Sequence, residues 1–188
     1  MIGNIVAGTL SAGAPPIAPS SYESIATVTL GSPNSTITFS SIPSTYKHLQ
    51  IRVLAKSSNA SDYSSFTFTA NGDTGSNYAW HYIFGDGSSA AAGGASGESF
   101  IREINFTGGT SLTNIFFGAV IDVLDYSSTS KNKTFRMLGG SDGNGSGNIH
   151  LGSGVWLNTS AISTLTFTPS GGSNFTANTQ FALYGIKD

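Results

Sequence analysis

The segment "HLQIRVLAK" (48–56) places Leu49, Ile51, Val53 and Ala55 on one side and Gln50, Arg52 and Lys56 on the other. A period of two is the mark of a strand with one buried face. The same reading holds along most of the chain. "IATVTL" (25–30) and "STITFS" (35–40) flank Gly31–Asn34 and predict a hairpin. "SFTFTA" (65–70) turns Phe66 and Phe68 inward and stops at Asn71-Gly72. Both of those residues tolerate positive φ, so the pair predicts a tight turn. Further strands are expected in 78–85, 98–106, 114–126, 133–140, 154–158, 162–168 and 179–187. The stretches 86–97, 107–113, 141–148 and 169–174 read as Gly/Ser-rich linkers, and no segment has an amphipathic helical period. The prediction is an all-β fold: an antiparallel β-sandwich, jelly-roll-like, of about ten strands over 23–188, preceded by an extended N-terminal arm over 1–22.

Two strands are apolar on both faces. In "NIFFGAVIDVLDY" (114–126) Phe116, Val120 and Leu124 oppose the set Ile115, Phe117, Ala119, Ile121 and Val123. In "TQFALYGIK" (179–187) Tyr184 and Ile186 oppose Phe181 and Leu183. A strand apolar on both sides needs a cover on each. Phe116, Val120, Leu124, Tyr184 and Ile186 are therefore candidate oligomer-interface residues. The arm carries no charge and three prolines, which exclude a helix or central strand. Its Ile2, Ile5, Val6, Leu10, Pro15, Pro16 and Ile17 are candidate contacts with an assembly.

Composition sharpens this picture. Charged residues make up only 10% of the 188, replaced by 30 Ser, 20 Thr and 24 Gly. That surface suits a secreted or particle-borne β-protein. A net charge of −2 gives no electrostatic footprint for nucleic acid. The chain has no cysteine, which excludes disulfides, thiolate metal sites and a cysteine nucleophile. No stretch is long and apolar enough for a membrane-spanning helix. The absence of Lys and Arg before Lys47 argues against a signal peptide. The expected route is synthesis in a reducing cytosol and later exposure on a particle.

Candidate chemistry is thin. "SDGNGSGN" (141–148) starts like a calcium loop at Asp142 and Asn144. It lacks the third ligand and the terminal carboxylate, so it reads as a turn. His48, His81 and His150 have no metal spacing. No nucleophile elbow occurs, and nothing pairs two carboxylates for glycosidase work. No catalytic residue, metal or cofactor is expected. Asp122, facing away from the inward set, needs a partner, which Arg102 or Arg136 could supply as a structural ion pair. Tyr78, Trp80 and Tyr82 form an aromatic row, either core or a platform for stacking a glycan.

Several strings together carry a resemblance: "ITFSSIPSTYKHLQIRVLAK" (37–56), "NGDTGSNYAWHYIFGDGSSA" (71–90), "IDVLDYSSTSKNKTFRMLGG" (121–140) and "FALYGIKD" (181–188). Over 22–188 the chain resembles small β-rich structural proteins of tailed bacteriophages of aquatic bacteria. The resemblance transfers no catalytic or binding residue. It implies a non-enzymatic component on the virion exterior: a capsid decoration or cement protein, a head fibre, or a tail-fibre adhesin. Its partners would be further copies of itself and the major capsid protein, or tail and fibre proteins with a host surface glycan.

Overall fold

The structure, a computed structural model, describes residues 21–187 apart from the Ile104 side chain. The proposed arm contacts from Ile2 to Ile17 lie outside the described residues. Tyr22, read from sequence as the end of the arm, is instead the first residue of a strand.

Twelve strands follow one another: β1 Tyr22–Thr29, β2 Ile37–Phe39, β3 His48–Ala55, β4 Tyr63–Ala70, β5 Tyr78–Gly85, β6 Ala90–Glu98, β7 Ile101–Thr107, β8 Phe117–Leu124, β9 Lys133–Asp142, β10 Gly147–Trp156, β11 Leu165–Pro169 and β12 Gln180–Ile186. They form two antiparallel sheets packed as a sandwich. The larger has eight strands in the order β1-β12-β3-β8-β9-β10-β5-β6. The smaller has four, β2-β11-β4-β7. No α-helix occurs among the described residues.

Two sequence expectations need correction. The segments 25–30 and 35–40 do not form a hairpin. β1 pairs with β12 in the larger sheet, and β2 pairs with β11 in the smaller. Ile37 and Phe39 are buried between the sheets, and an inward strand of this kind gains more from the core than from a local turn. The supposed linker 86–97 contains β6, which pairs with β5 along its length. Its Ala/Gly composition carries no hydrophobic signal, yet the glycines are required. A Cβ on Gly93 would lie 2.7 Å from the Tyr82 hydroxyl, and one on Gly94 would lie 2.3 Å from the His81 ring.

The core is aromatic. Phe66 of β4 meets Phe106, Phe117, Phe167, Phe175 and Phe181 at centroid distances between 5.4 and 6.5 Å, all at steep angles. Edge-to-face pairs of this kind add to the burial energy of each ring. All six rings are fully buried.

The sandwich corners are built from the Asn/Asp turns. Asn71 and Gly72 take positive φ, 52° and 67°. The Asn71 Oδ1 accepts from the amides of Ser163 and Thr164. Asp73 accepts from the Trp156 indole at 2.7 Å. "SDGNGSGN" is the β9–β10 hairpin end: Asn144 and Gly145 have positive φ, and Asp142 accepts the Asn144 amide at 2.9 Å.

Ionisable groups are enclosed at two sites. Lys133, the first residue of β9, is fully buried. Its ammonium donates to the carbonyls of Ser128, Lys131 and Thr159 at 2.5 to 3.0 Å. Burial holds it below the usual lysine range. The second site is the pair of Glu103 and His150, whose side chains are 0% and 1% exposed. Burial pushes Glu103 well above its usual 4.5 and His150 from 6.5 down to about 4. Both shifts favour the neutral form of each partner, and in that form the Glu103 carboxyl is the donor to His150 Nε2. The Phe117 ring stacks on the imidazole at 5.4 Å.

Two predictions follow from the core. Phe66→Ala is expected to cost about 3–5 kcal/mol and Phe66→Leu distinctly less, read from urea denaturation. The second concerns pH. Between pH 4.5 and 6.5 the unfolded chain carries one proton more on His150 and one fewer on Glu103 than the native state, so the two contributions cancel. Above pH 6.5 only Glu103 differs: the native state keeps a proton that the unfolded chain has lost, so stability falls as pH rises. Glu103→Gln mimics the neutral acid and should remove that decline. Tm measured from pH 5 to 9 should be higher in Glu103→Gln than in the native sequence at the alkaline end. A large loss in Glu103→Gln at pH 7 would instead identify an ionic pair.

Candidate interaction surface on the larger sheet

The larger sheet shows a face away from the core, about 34 Å across at the usual strand spacing. Its side chains lie in rows set by the register. One row runs Ile83, Leu151, Leu138, Val120, Arg52 across β5, β10, β9, β8 and β3. The next runs Gly85, Ile149, Gly140, Gly118, Leu54. Leu54, Ile83, Leu138, Ile149 and Leu151 are all about half exposed, between 48% and 64%. Ile83, Leu138, Ile149 and Leu151 form one contiguous band, which is the kind of patch that marks an interaction site, and Leu54 lies beyond it across Gly140 and Gly118.

The glycines of the second row open a trough of 990 Å³ beside the band. Gly118 forms part of its floor, and a Cβ there would meet nothing within 4 Å. The Asp86 turn and the 143–147 hairpin end border the trough. The Asp86 carboxylate is held well below its usual range by the amides and hydroxyls of Ser88 and Ser89.

β10 explains why the band exists. Its inward positions are His150, Gly152, Gly154 and Trp156, while Ile149 and Leu151 point outward. This inverts the usual arrangement. Trp156 is pinned opposite Tyr78, with which it stacks at 6.3 Å. The space above Gly152 and Gly154 is filled by Met137 and Ile101, whose atoms would lie 2.8 and 2.9 Å from an added Cβ. The core has no room for Ile149 or Leu151.

A polar row flanks the band. Tyr22 donates to Gln50 Oε1 at 2.5 Å, Gln50 Nε2 donates to Asp122 at 3.0 Å, and Arg136 Nη2 donates to Asp122 at 3.1 Å. Arg52 lies over the stacked rings of Tyr22 and Tyr184, 5.4 and 5.2 Å from their centroids. Arg136 is therefore the partner of Asp122. Arg102 is not: it lies on β7 in the other sheet, over the rings of Trp80 and Phe100.

Val120, Leu124, Tyr184 and Ile186 lie on this outer face, half-buried, and Phe116 sits half-buried just before β8. Sequence reasoning missed the more exposed set. Alternation already left Leu54 opposite Ile51 and Val53, and Leu138 in line with Arg136. The inversion of β10 had no local signal. The aromatic row divides. Tyr78 is fully buried and Trp80 is 8% exposed, so neither offers a face to a glycan. Burial lifts the Tyr78 hydroxyl to about 12. Tyr82 remains half-buried at the margin of the core. Among the described residues no cluster of three or more His, Asp or Glu side chains could hold a metal.

No protein-family model matches the chain, and a search of curated proteins returns no match.

The exposed band should tolerate charge. Leu138→Lys with Ile149→Lys is expected to shift stability by no more than about 0.5 kcal/mol per site. Binding of an apolar fluorescent dye should fall sharply in the same variant. A loss of several kcal/mol would mean that the band is already covered in the free protein.

Proposed function

We propose that this protein is a non-enzymatic structural component of a tailed-phage virion, a capsid decoration or cement protein on the particle exterior. The observation that carries the reading is the inverted strand β10, which spends two large aliphatics on an outer face instead of the core. A protein with four half-exposed Leu and Ile side chains in one band is built to be covered by a neighbour. In a particle that neighbour is another copy of the chain, in a homotrimer, or the major capsid protein. The resemblance of 22–188 to phage structural proteins supports the setting. The uncharged segment before β1 serves as the tether in this reading.

A second reading, a tail-attached adhesin for a host surface glycan, is favoured by one feature: Tyr82 and Phe84 leave the core before β5 ends. The two readings separate by localisation. Antibody labelling of intact particles in electron microscopy should decorate the head at a copy number comparable with the capsid lattice. Label confined to the tail tip would overturn the decoration role. Deleting residues 1–20 stops short of β1, so it should leave Tm unchanged while abolishing particle association.

A further inference from the structure

Tyr82 and Phe84 form one wall of a 340 Å³ cleft. That lies at the small end of the usual range for ligand pockets, about 300–1,000 Å³. The other wall is the edge of the smaller sheet: Arg102 and Asn105 of β7 and Ser65 of β4, with Asn59 alongside. β7 is irregular here. Its register against β4 shifts between Ser64 and Phe66, and Asn105 takes a φ of 54°.

Arg102 is the unusual group. Its guanidinium lies 5.5 Å from the Trp80 ring centroid and 5.7 Å from that of Phe100. Its Nε is buried with no acceptor, and the same is true of Trp80 Nε1. None of the ion pairs among the described residues includes Arg102. No carboxylate lines the cleft. A guanidinium held by aromatic rings and lacking an acceptor is suited to a carboxylate or phosphate, which it can meet with two parallel N–H donors.

The remaining surface sets the rest of the ligand. Asn59, Asn105 and Ser65 are neutral and can exchange hydrogen bonds with hydroxyl groups. Tyr82 and Phe84, 6.2 Å apart and tilted by 43°, offer apolar ring faces. A sugar ring has both a hydroxyl rim and an apolar C–H face. A polyanion such as nucleic acid is disfavoured, since the cleft has one cation and the chain a net charge of −2.

We propose that this cleft binds an acidic saccharide unit, with Arg102 receiving its carboxylate or phosphate and Tyr82 and Phe84 packing on the sugar ring. The site is separate from the outer face and its assembly role. Titration calorimetry on the full chain tests it, with glucuronate, glucose 6-phosphate and glucose as probes. At least one acidic probe should bind about tenfold or more tightly than glucose, and salt should weaken it. Preference for glucuronate alone identifies a carboxylate ligand, and for glucose 6-phosphate alone a phosphate ligand. Arg102→Gln should abolish the preference. Asn59→Asp places a like charge in the cleft and should reduce it. The Asn59 Oδ1 accepts from the Ser61 hydroxyl at 3.1 Å, a bond that Asp retains, so this variant reports even if Arg102→Gln fails to fold. No binding by any probe, equal binding of acids and glucose, or a preference that survives in folded Arg102→Gln would each overturn the proposal. None of these results bears on particle localisation, so this proposal, which deepens only the adhesin reading, and the decoration role fail separately.

Discussion

The fold depends on the ring of Phe66. It is the meeting point of aromatic side chains from both sheets: Phe106 and Phe167 from the smaller, Phe117 and Phe181 from the larger, and Phe175 from the segment between β11 and β12. A sandwich needs an inner layer about 10 Å thick, and interlocked phenylalanines fill it with few conformational choices. Four strands cannot cover eight. The smaller sheet therefore leaves part of the inner face of β5 uncovered, and the aromatic row that starts in the core with Tyr78 ends at the surface with Phe84.

Charge inside this layer is handled by neutralising it or by enclosing it in carbonyls. Glu103 and His150 face each other across the two sheets, and burial favours the neutral form of each. Lys133 stays at the end of β9 and is satisfied by three backbone carbonyls of the 128–131 turn and the 159 loop. The first arrangement joins the two sheets, and the second ties loops to the larger one.

The outer face of the larger sheet is a consequence of the same packing. Trp156 and Tyr78 fix the register of β10 against β5, and Met137 and Ile101 occupy the space above its glycines. Ile149 and Leu151 are left facing outward beside Leu138 and Ile83. The polar row through Gln50, Asp122 and Arg136 gives this face a defined boundary. The apolar band, the glycine-floored trough and the hydrogen-bonded margin are the features on which the proposed assembly role rests.

The sequence alone determined the fold class, most strand positions and the inward faces of β3, β4, β8 and β12, because side chains in a strand alternate with a period of two and that period is local. It also determined the Asn71-Gly72 turn and the pairing choice of Asp122 to within two arginines. Only the tertiary structure decided the rest. β6 is held by backbone hydrogen bonds that its Ala and Gly side chains do not announce. β1 and β2 separate into different sheets because their partners, β12 and β11, lie far away in sequence. The outward turn of Ile149 and Leu151, the burial of Lys133 and the unpaired guanidinium of Arg102 all come from volumes filled by residues distant in the chain. Such competition for space is a property of the packed core, and no window of neighbouring residues contains it.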